Sequence, residues 1–330
     1  MMNHEGSATA RAHSNIALIK YWGNQDERLR LPANPSLSFN LAGLFTEVTV
    51  NWGADADSLT INGEQASPKA TARVSSHLSA LRQRLGFQGM AEVVSETNIP
   101  LGAGVASSAA AFAALTLAAS TAAGFECDEA TLSALARLGS GSAARSVPTG
   151  FVSSPAADTH AACHARSIAP PNHWALADVI ALIETAPKKV SSLAGHRSAK
   201  TSPLQSARIK SAAERYRQCE RAILTRDFDA LAAVVELDSN AMHAVMMTSR
   251  PPLMYWHPAS ITVMNTVTEW RRSGIPVCYT LDAGPNVHCI CPQEVASTIR
   301  EGLRNIPGVV ETMTAFVGKG AHVILDHAIS

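Results

Sequence analysis

From Gly102 to Gly124 the chain carries no charged side chain, and the run opens directly from Asn98-Ile-Pro-Leu, with glycines at 102 and 104. A segment of this length and neutrality has to be buried, either in a bilayer or in a protein core. Its content selects the core. Ala, Ser, Thr and Gly dominate, with Phe112, Leu115 and Leu117 among the few large apolar residues, so entry into hydrocarbon would gain little. The run predicts a closely packed helix of a soluble domain, entered through a glycine-punctuated loop.

The remaining composition narrows the class. At 330 residues the chain accommodates two domains, at roughly 100 to 200 residues each. Lys plus Arg total 27 and Asp plus Glu total 27, so no general electrostatic hold on nucleic acid or an anionic membrane is expected. With 46% hydrophobic residues and 16% charged, the chain is no disordered polymer. The six cysteines stand singly except for Cys289 and Cys291, a spacing that matches neither a disulfide framework nor a zinc ribbon. Alternation in Val287–Cys291 puts that pair on one face of a strand, as small apolar residues. The amino-terminal stretch has no apolar h-region, so no secretory signal is expected and a reducing cytoplasm fits.

Along the chain, Thr46 to Trp52 alternates polar and apolar residues, and Leu59 to Ile61 precedes Asn62-Gly63, which predicts a hairpin in an antiparallel sheet. Val74, Leu78, Leu81 and Leu85 recur at helical intervals, with Arg73, His77 and Arg82 on other faces. A short strand follows at 91–95, the neutral helix after it, and a second helix from Glu129 to Leu138. A buried strand is expected at 179–184 and a mobile polar loop at 188–203, with a domain boundary near 185 dividing the chain into 1–185 and 186–330. Helical periodicity then covers 206–237 and 258–272. A strand at 277–281 ends in Asp282-Ala-Gly-Pro-Asn, a strand resumes at 287–290, a helix covers 295–303, and a strand from Phe316 is broken by Gly318-Lys319-Gly320.

Three places have the makings of chemistry. The Asn98–Ser108 loop joins Gly102, Ala103 and Gly104, whose amides are unobstructed, to a helix start carrying Ser107 and Ser108, the ingredients of a phosphate cradle. It lacks a Walker Lys, and such a turn also serves as a plain structural joint. Gly139–Ser146, a second small-residue segment, places Arg145 where a guanidinium can grip a carboxylate or phosphate, though a solvated linker reads the same locally. Asp282 ends an apolar strand, as either a proton acceptor or the start of a turn. Together they supply two anion-binding loops and one carboxylate, the components of phosphoryl transfer.

Four blocks, Asn15-Ile-Ala-Leu-Ile-Lys-Tyr-Trp-Gly23 with Leu31-Pro-Ala-Asn-Pro-Ser-Leu-Ser38, Asn98–Ala110, Gly139–Ser146 and Asp282–Asn286, resemble the ATP-dependent mevalonate-phosphate decarboxylases of the GHMP kinase superfamily in order and spacing. The resemblance implies an α+β protein of two domains, an amino-terminal ATP-binding domain related to ribosomal protein S5 domain 2 and a carboxy-terminal GHMP kinase domain, with the site between them. It implies phosphorylation of a tertiary C3 hydroxyl by ATP with Mg²⁺, then loss of phosphate and CO2 to leave an isoprenoid C5 phosphate. By analogy Asp282 meets the hydroxyl, Lys20 tunes Asp282, and Arg145 clamps the substrate carboxylate. Gly102, Ala103, Gly104, Ser107 and Ser108 hold ATP phosphates, with Ser108 also the candidate magnesium ligand. Tyr21, Asn24, Arg73, Ser140 and Ser142 surround the 5-phosphoryl end. The family's common dimeric state makes a homodimer the expected assembly.

Two departures bear on the substrate. Asn24 stands where diphosphate-using members usually carry Lys, and Leu101-Gly102 replaces a usual Thr-Ala. Loss of one charge-assisted contact costs about 1.5 to 3 kcal/mol, which favours mevalonate 5-phosphate as substrate and isopentenyl phosphate as product. The alternative is diphosphomevalonate decarboxylation, with Lys188, Lys189 or Arg197 filling the gap. A mevalonate 3-kinase that releases no CO2 is a second alternative. A pure nucleotide-binding protein has no use for Asp282, Lys20 and Arg145 together. The 46–61 region is the natural candidate for an adenine pocket.

Overall fold

The computed structural model describes residues 5–99, 107–183 and 192–324. In the first half the elements are β1 (Ser7–Ile19), β2 (Asn24–Asp26), β3 (Leu31–Pro32), β4 (Ser36–Ala54), β5 (Ser58–Ile61), β6 (Glu64–Gln65), α1 (Pro68–Leu85), β7 (Met90–Thr97), α2 (Ser107–Ala122), α3 (Glu129–Gly139), β8 (Phe151–Ser154) and β9 (Arg166–Ala169). They continue with β10 (Leu176–Leu182), α4 (Ser192–Ser198), α5 (Gln205–Thr225), α6 (Phe228–Thr248), α7 (Pro258–Arg272), β11 (Cys278–Thr280), β12 (Val287–Pro292), α8 (Ala296–Arg304), β13 (Glu311–Val317) and β14 (His322–Ile324).

The long strand β4 organises the sheet. It pairs antiparallel with β1 through Ser7↔Asn51 to Ile19↔Leu37, with β7 through Thr46↔Thr97 to Ala54↔Met90, and with β8. At Leu41 and Ala42 it meets Val317 and Phe316 of β13. That junction joins the two halves into one path, β11-β12-β10-β13-β4-β7-β5-β6. The alternation at 46–52 reads true, with Val48, Val50 and Trp52 buried. Asn62 and Gly63 both have positive φ and close the β5–β6 hairpin, as such a turn requires. The expected antiparallel sheet includes one parallel pair among the described strands, β5 with β7. A division at 185 leaves β10 in the first half, while its ladder partners β12 and β13 lie in the second.

Three apolar clusters hold the layers. Val48, Val50, Leu78, Leu81, Phe112 and Leu115 pack α1 and α2 on one sheet segment. Val179, Val263, Val267, Ile299 and Leu303 do the same for α7 and α8. The third cluster crosses between halves, joining Ile16, Leu18, Phe39 and Phe151 to Ile180, Ile223 and Val235. Helix α2 is buried over most of its length and receives the Trp52 indole N–H at Ala119 O, 3.0 Å. Among the described residues no helix is long and apolar enough to cross a membrane. All six cysteines are free, and Cys289 and Cys291 are fully buried together.

Several local expectations need correction. The periodicity at 206–237 belongs to two helices. Arg226 adopts a left-handed conformation, and Asp227 caps α6 by accepting from Ala230 N at 3.0 Å. The apolar pattern continues across this break because both helices cover the same core. The described part of the polar stretch 188–203 is no loop, as it contains α4 and a 3-10 turn. Strand β10 begins and ends earlier than expected, and β13 starts five positions before Phe316. His77 is buried, bonding Thr116 Oγ1 at 2.8 Å, because α2 lies against that side of α1.

Candidate active site

Lys20 follows the last residue of β1 and sits in a buried polar network. Its backbone N–H donates to Asp238 Oδ2 of α6 at 2.7 Å. Its carbonyl accepts from Arg208 Nη2 at 2.8 Å and Asn34 Nδ2 at 2.9 Å. Arg215 Nε donates to the other Asp238 oxygen at 2.7 Å. Sequence reasoning missed Asn34, Arg208, Arg215 and Asp238 as a unit, although Arg208 and Arg215 lie two turns apart on one face of α5. With its backbone fixed at both ends, Lys20 extends Nζ to 2.7 Å from Asp282 Oδ1.

Asp282 arrives from the other half of the chain. After β11, Leu281 N donates to Ser239 Oγ at 3.0 Å, and Gly284 N turns back to Asp282 O at 2.7 Å. Asn286 Oδ1 accepts from Ile183 N at 2.7 Å, and Ser260 Oγ donates to Pro285 O at 2.7 Å. The turn is thus bonded on several sides. Lys20 is 1% exposed and Asp282 26%, so the ammonium is sealed in while the carboxylate keeps an open edge.

Arg145 belongs to a buried 3-10 turn, Gly141–Ser146, where a small-residue linker was one reading. Its side chain donates to Ser36 Oγ at 2.8 Å and Asn15 Oδ1 at 3.3 Å. Asn15 and Ser36 come from the Asn15–Gly23 and Leu31–Ser38 segments, whose local sequence carries no sign of this contact. Burial pushes the guanidinium pKa down to about 10, while the Asp282 carboxylate and Tyr21 act in the opposite direction. It therefore remains a cation at neutral pH, within electrostatic reach of the Asp282 carboxylate.

The other expected site residues gather beside these three. Ser108 Oγ lies 3.3 Å from Ser140 Oγ, which lies 3.2 Å from Ser142 Oγ, a row of hydroxyls linking α2 to the 3-10 turn. Arg73 donates to Gly139 O at 3.2 Å and stacks 4.5 Å over the Phe112 ring. Burial, then the nearby Arg30 charge, lowers its pKa to about 10. The Tyr21 hydroxyl donates to Asn24 Oδ1, and Asn24 Nδ2 donates to Glu27 at 3.2 Å. Burial raises the Tyr21 pKa, so the phenol stays protonated. A β-carbon at Gly141 would overlap the Tyr21 ring. His196, unanticipated, stacks on Tyr21 at 4.2 Å and accepts from Gly23 N at 3.0 Å. Burial and nearby arginines lower its pKa to about 3.

Gly102, Ala103 and Gly104, like Lys188 and Lys189, lie outside the described residues. Arg197 is 65% exposed and stands 3.8 Å from Glu27. Arg137 serves the scaffold, donating to Leu29 O at 2.9 Å and to His160. His243 is buried against Trp256 at 5.3 Å, and burial plus the Lys20 charge lowers its pKa to about 4.

A cavity of about 180 Å³ opens beside the hydroxyl row, between the sheet and helices α1 and α2. Val48, Leu59, Ile61, Val74 and Phe112 form apolar walls, and Thr46, Ser95, Thr97, Ser107 and Ser108 add polar positions. An apolar slot ending in hydroxyls at a helix start fits a nucleobase with phosphates beyond it. The 46–61 region does contribute two of its strands. Among the described residues no three His, Cys, Asp or Glu side chains gather as a ready cation cage. Ser108, in the hydroxyl row, is the protein donor that fits a cation carried by phosphates.

Residues 12–165 match the model of the diphosphomevalonate decarboxylase-like amino-terminal domain, and 178–326 that of the mevalonate 5-diphosphate decarboxylase carboxy-terminal domain. A diphosphomevalonate decarboxylase of Ganoderma lucidum is 36% identical over 89% of this chain and 80% of its own length. The solved mevalonate diphosphate decarboxylase of Staphylococcus aureus is 34% identical with a TM-score of 0.92, covering 97% of this chain and 98% of that one. The structure of MDDEF in complex with MVAPP, AMPPCP and magnesium is 36% identical with a TM-score of 0.91, covering 97% and 99%. With both halves matched in order and the whole two-domain path shared with solved members, the chain belongs to the diphosphomevalonate decarboxylase family.

Proposed function

We propose that this protein converts mevalonate 5-diphosphate to isopentenyl diphosphate, with ATP consumed and ADP, phosphate and CO2 released. The observation that carries the reading is the Lys20–Asp282 pair, 2.7 Å apart, with the Arg145 cation within electrostatic reach of the same carboxylate. The expectation of a monophosphate substrate is replaced, because the similar curated proteins carry the diphosphate name and MDDEF was solved with MVAPP. That expectation rested on Asn24 and on Leu101-Gly102, of which the second lies outside the described residues, and other cations stand close to Asn24.

The residues divide the work by charge. Asp282, oriented by Lys20, accepts the proton of the substrate's C3 hydroxyl as that oxygen takes a phosphoryl group from ATP. Arg145 holds the substrate carboxylate through its fork of N–H donors. A tertiary alkoxide is a poor leaving group and phosphate a good one. When the C3–O bond breaks, its electron pair leaves on phosphate, and the electrons of the carboxylate's C–C bond close the double bond as CO2 departs. Tyr21, Ser140, Ser142 and Arg73 surround the phosphoryl end of the substrate. Ser107 and Ser108, with the apolar cavity, receive the nucleotide, and Ser108 fits a magnesium ion bound to its phosphates. Bound there, such an ion would supply positive charge against the nucleotide phosphates.

Parallel turnover with mevalonate 5-diphosphate and 5-phosphate, following ADP and CO2 together, tests the proposal. Equal amounts of ADP and CO2, with the higher kcat/KM on the diphosphate, are expected. ADP without CO2 would make the protein a 3-kinase, and preference for the monophosphate would restore the expectation drawn from Asn24.

A further inference from the structure

Arg30 stands between the paired strands β2 and β3 in a left-handed conformation, φ +50°, which long side chains seldom adopt. Its surroundings enforce that conformation. The preceding Leu29 donates its N–H to Asp26 Oδ1 at 2.7 Å, and its carbonyl accepts from the buried Arg137 at 2.9 Å. The pairs Asn24↔Pro32 and Asp26↔Leu31 bracket the turn. With the turn bonded on both sides, the starting direction of the Arg30 side chain is fixed.

The Arg30 side chain is half-buried, yet it makes no hydrogen bond or ion pair among the described residues. Asn24, which pairs with Pro32 across this turn, accepts from the Tyr21 hydroxyl, so Arg30 belongs to the same hairpin that borders Tyr21, and its charge is felt at Tyr21, Arg73 and His196. Arg197 adds positive charge nearby, and Glu27 is the acid facing it. Glu27, however, accepts from Asn24 and stands near Arg197. Asn24 is itself occupied by Tyr21 and Glu27 and offers no cation. Arg30 and Arg73 thus form a partly desolvated positive pair, an arrangement that a multiply charged anion relieves.

We propose that Arg30 is a specificity-determining residue whose guanidinium holds the terminal phosphoryl group of the substrate. This rests on the diphosphate reading above. A second phosphate adds negative charge and acceptor oxygens, and the planar fork of an arginine matches two of those oxygens at once.

The test is calorimetric titration of mevalonate 5-diphosphate and 5-phosphate, without ATP, into wild type, Arg30→Asn and Arg30→Lys. Asn tolerates the left-handed backbone, so Arg30→Asn should melt no lower than wild type. It should weaken diphosphate binding by roughly tenfold or more, and monophosphate binding much less. Arg30→Lys should recover part of the difference. Equal loss for both ligands, or no loss, would overturn the assignment, since a structural role would lower the melting temperature without separating them. Because the readout is binding, a wild type that discriminates through Arg30 but evolves no CO2 would sink the decarboxylase reading alone. Intact diphosphate turnover with unchanged binding in Arg30→Asn would sink Arg30 alone, and a wild type that binds no diphosphate would sink both.

Discussion

At the residue scale the site depends on the difference between a charge that is sealed in and one that is left open. Asp282 keeps an accessible edge, while its partner Lys20 has none. Asp282→Asn preserves shape but removes the proton acceptor, and turnover should fall by about 10²–10⁴-fold. Nucleotide affinity should stay within about twofold, because the apolar cavity and hydroxyl row are untouched. Steady-state assays beside nucleotide titration check both halves, and a variant retaining wild-type kcat would remove Asp282 from the chemistry. Gly141 makes a second case. Its missing β-carbon is the space that the Tyr21 ring occupies, so Gly141→Ala should displace Tyr21 and raise the substrate KM more than it lowers kcat. An unchanged KM would show that Tyr21 yields without loss.

Between elements, the decisive feature is the grip of α5 and α6 on the end of β1. Asp238 is wholly buried and binds Arg215 at 2.7 Å, stands 3.7 Å from Arg208, and accepts the Lys20 amide. Burial lowers the Arg208 pKa and the Asp238 charge restores part of it. Asp238→Ala would leave two buried guanidinium groups uncompensated, and such a break costs about 3–5 kcal/mol. Denaturant unfolding should report that loss, with activity falling as Lys20 loses its anchor. A loss below about 1 kcal/mol would mean that the network relaxes or fills with water. Much at this scale was legible beforehand. Helix α1 follows its Leu and Val spacing and starts at the Ser67 cap, and β4 alternates visibly. The α5–α6 break was hidden because Arg226 is an ordinary helix former whose left-handed conformation arises from the turn. The core that both helices share keeps the apolar rhythm running across it.

For the molecule as a whole, buried neutral histidines tie stability to pH. Burial lowers the pKa of His77 to about 3 and of His243 to about 4, from an ordinary 6.5. Between those values and 6.5 the unfolded chain binds protons that the folded one does not. Stability is therefore fully present above about pH 6.5 and is lost as pH falls, by up to about 1.4 kcal/mol per pH unit for each such histidine. Melting temperatures from pH 8 to 4 should decline below 6.5, and His77→Gln should flatten the slope. A variant with the wild-type slope would acquit His77.

The linear order of residues was enough to reveal the two-domain α+β class, the neutral buried helix, and the blocks that carry Lys20, Arg145 and Asp282. The helix showed in composition and spacing, whereas the two-domain α+β class and the part given to Lys20 came with the family resemblance that the blocks carry. Folding alone brought Lys20 to within 2.7 Å of Asp282 and buried Arg145 on Ser36 and Asn15. These contacts join positions far apart in the chain, and their strength depends on burial and on neighbours from other elements. The one-letter string at position 24 displayed a missing cation, whereas in the folded chain Asn24 is engaged by Tyr21 and Glu27, and the Arg30 charge is felt at Tyr21, Arg73 and His196. Electrostatics acts through space, so a reading along the backbone could not count it.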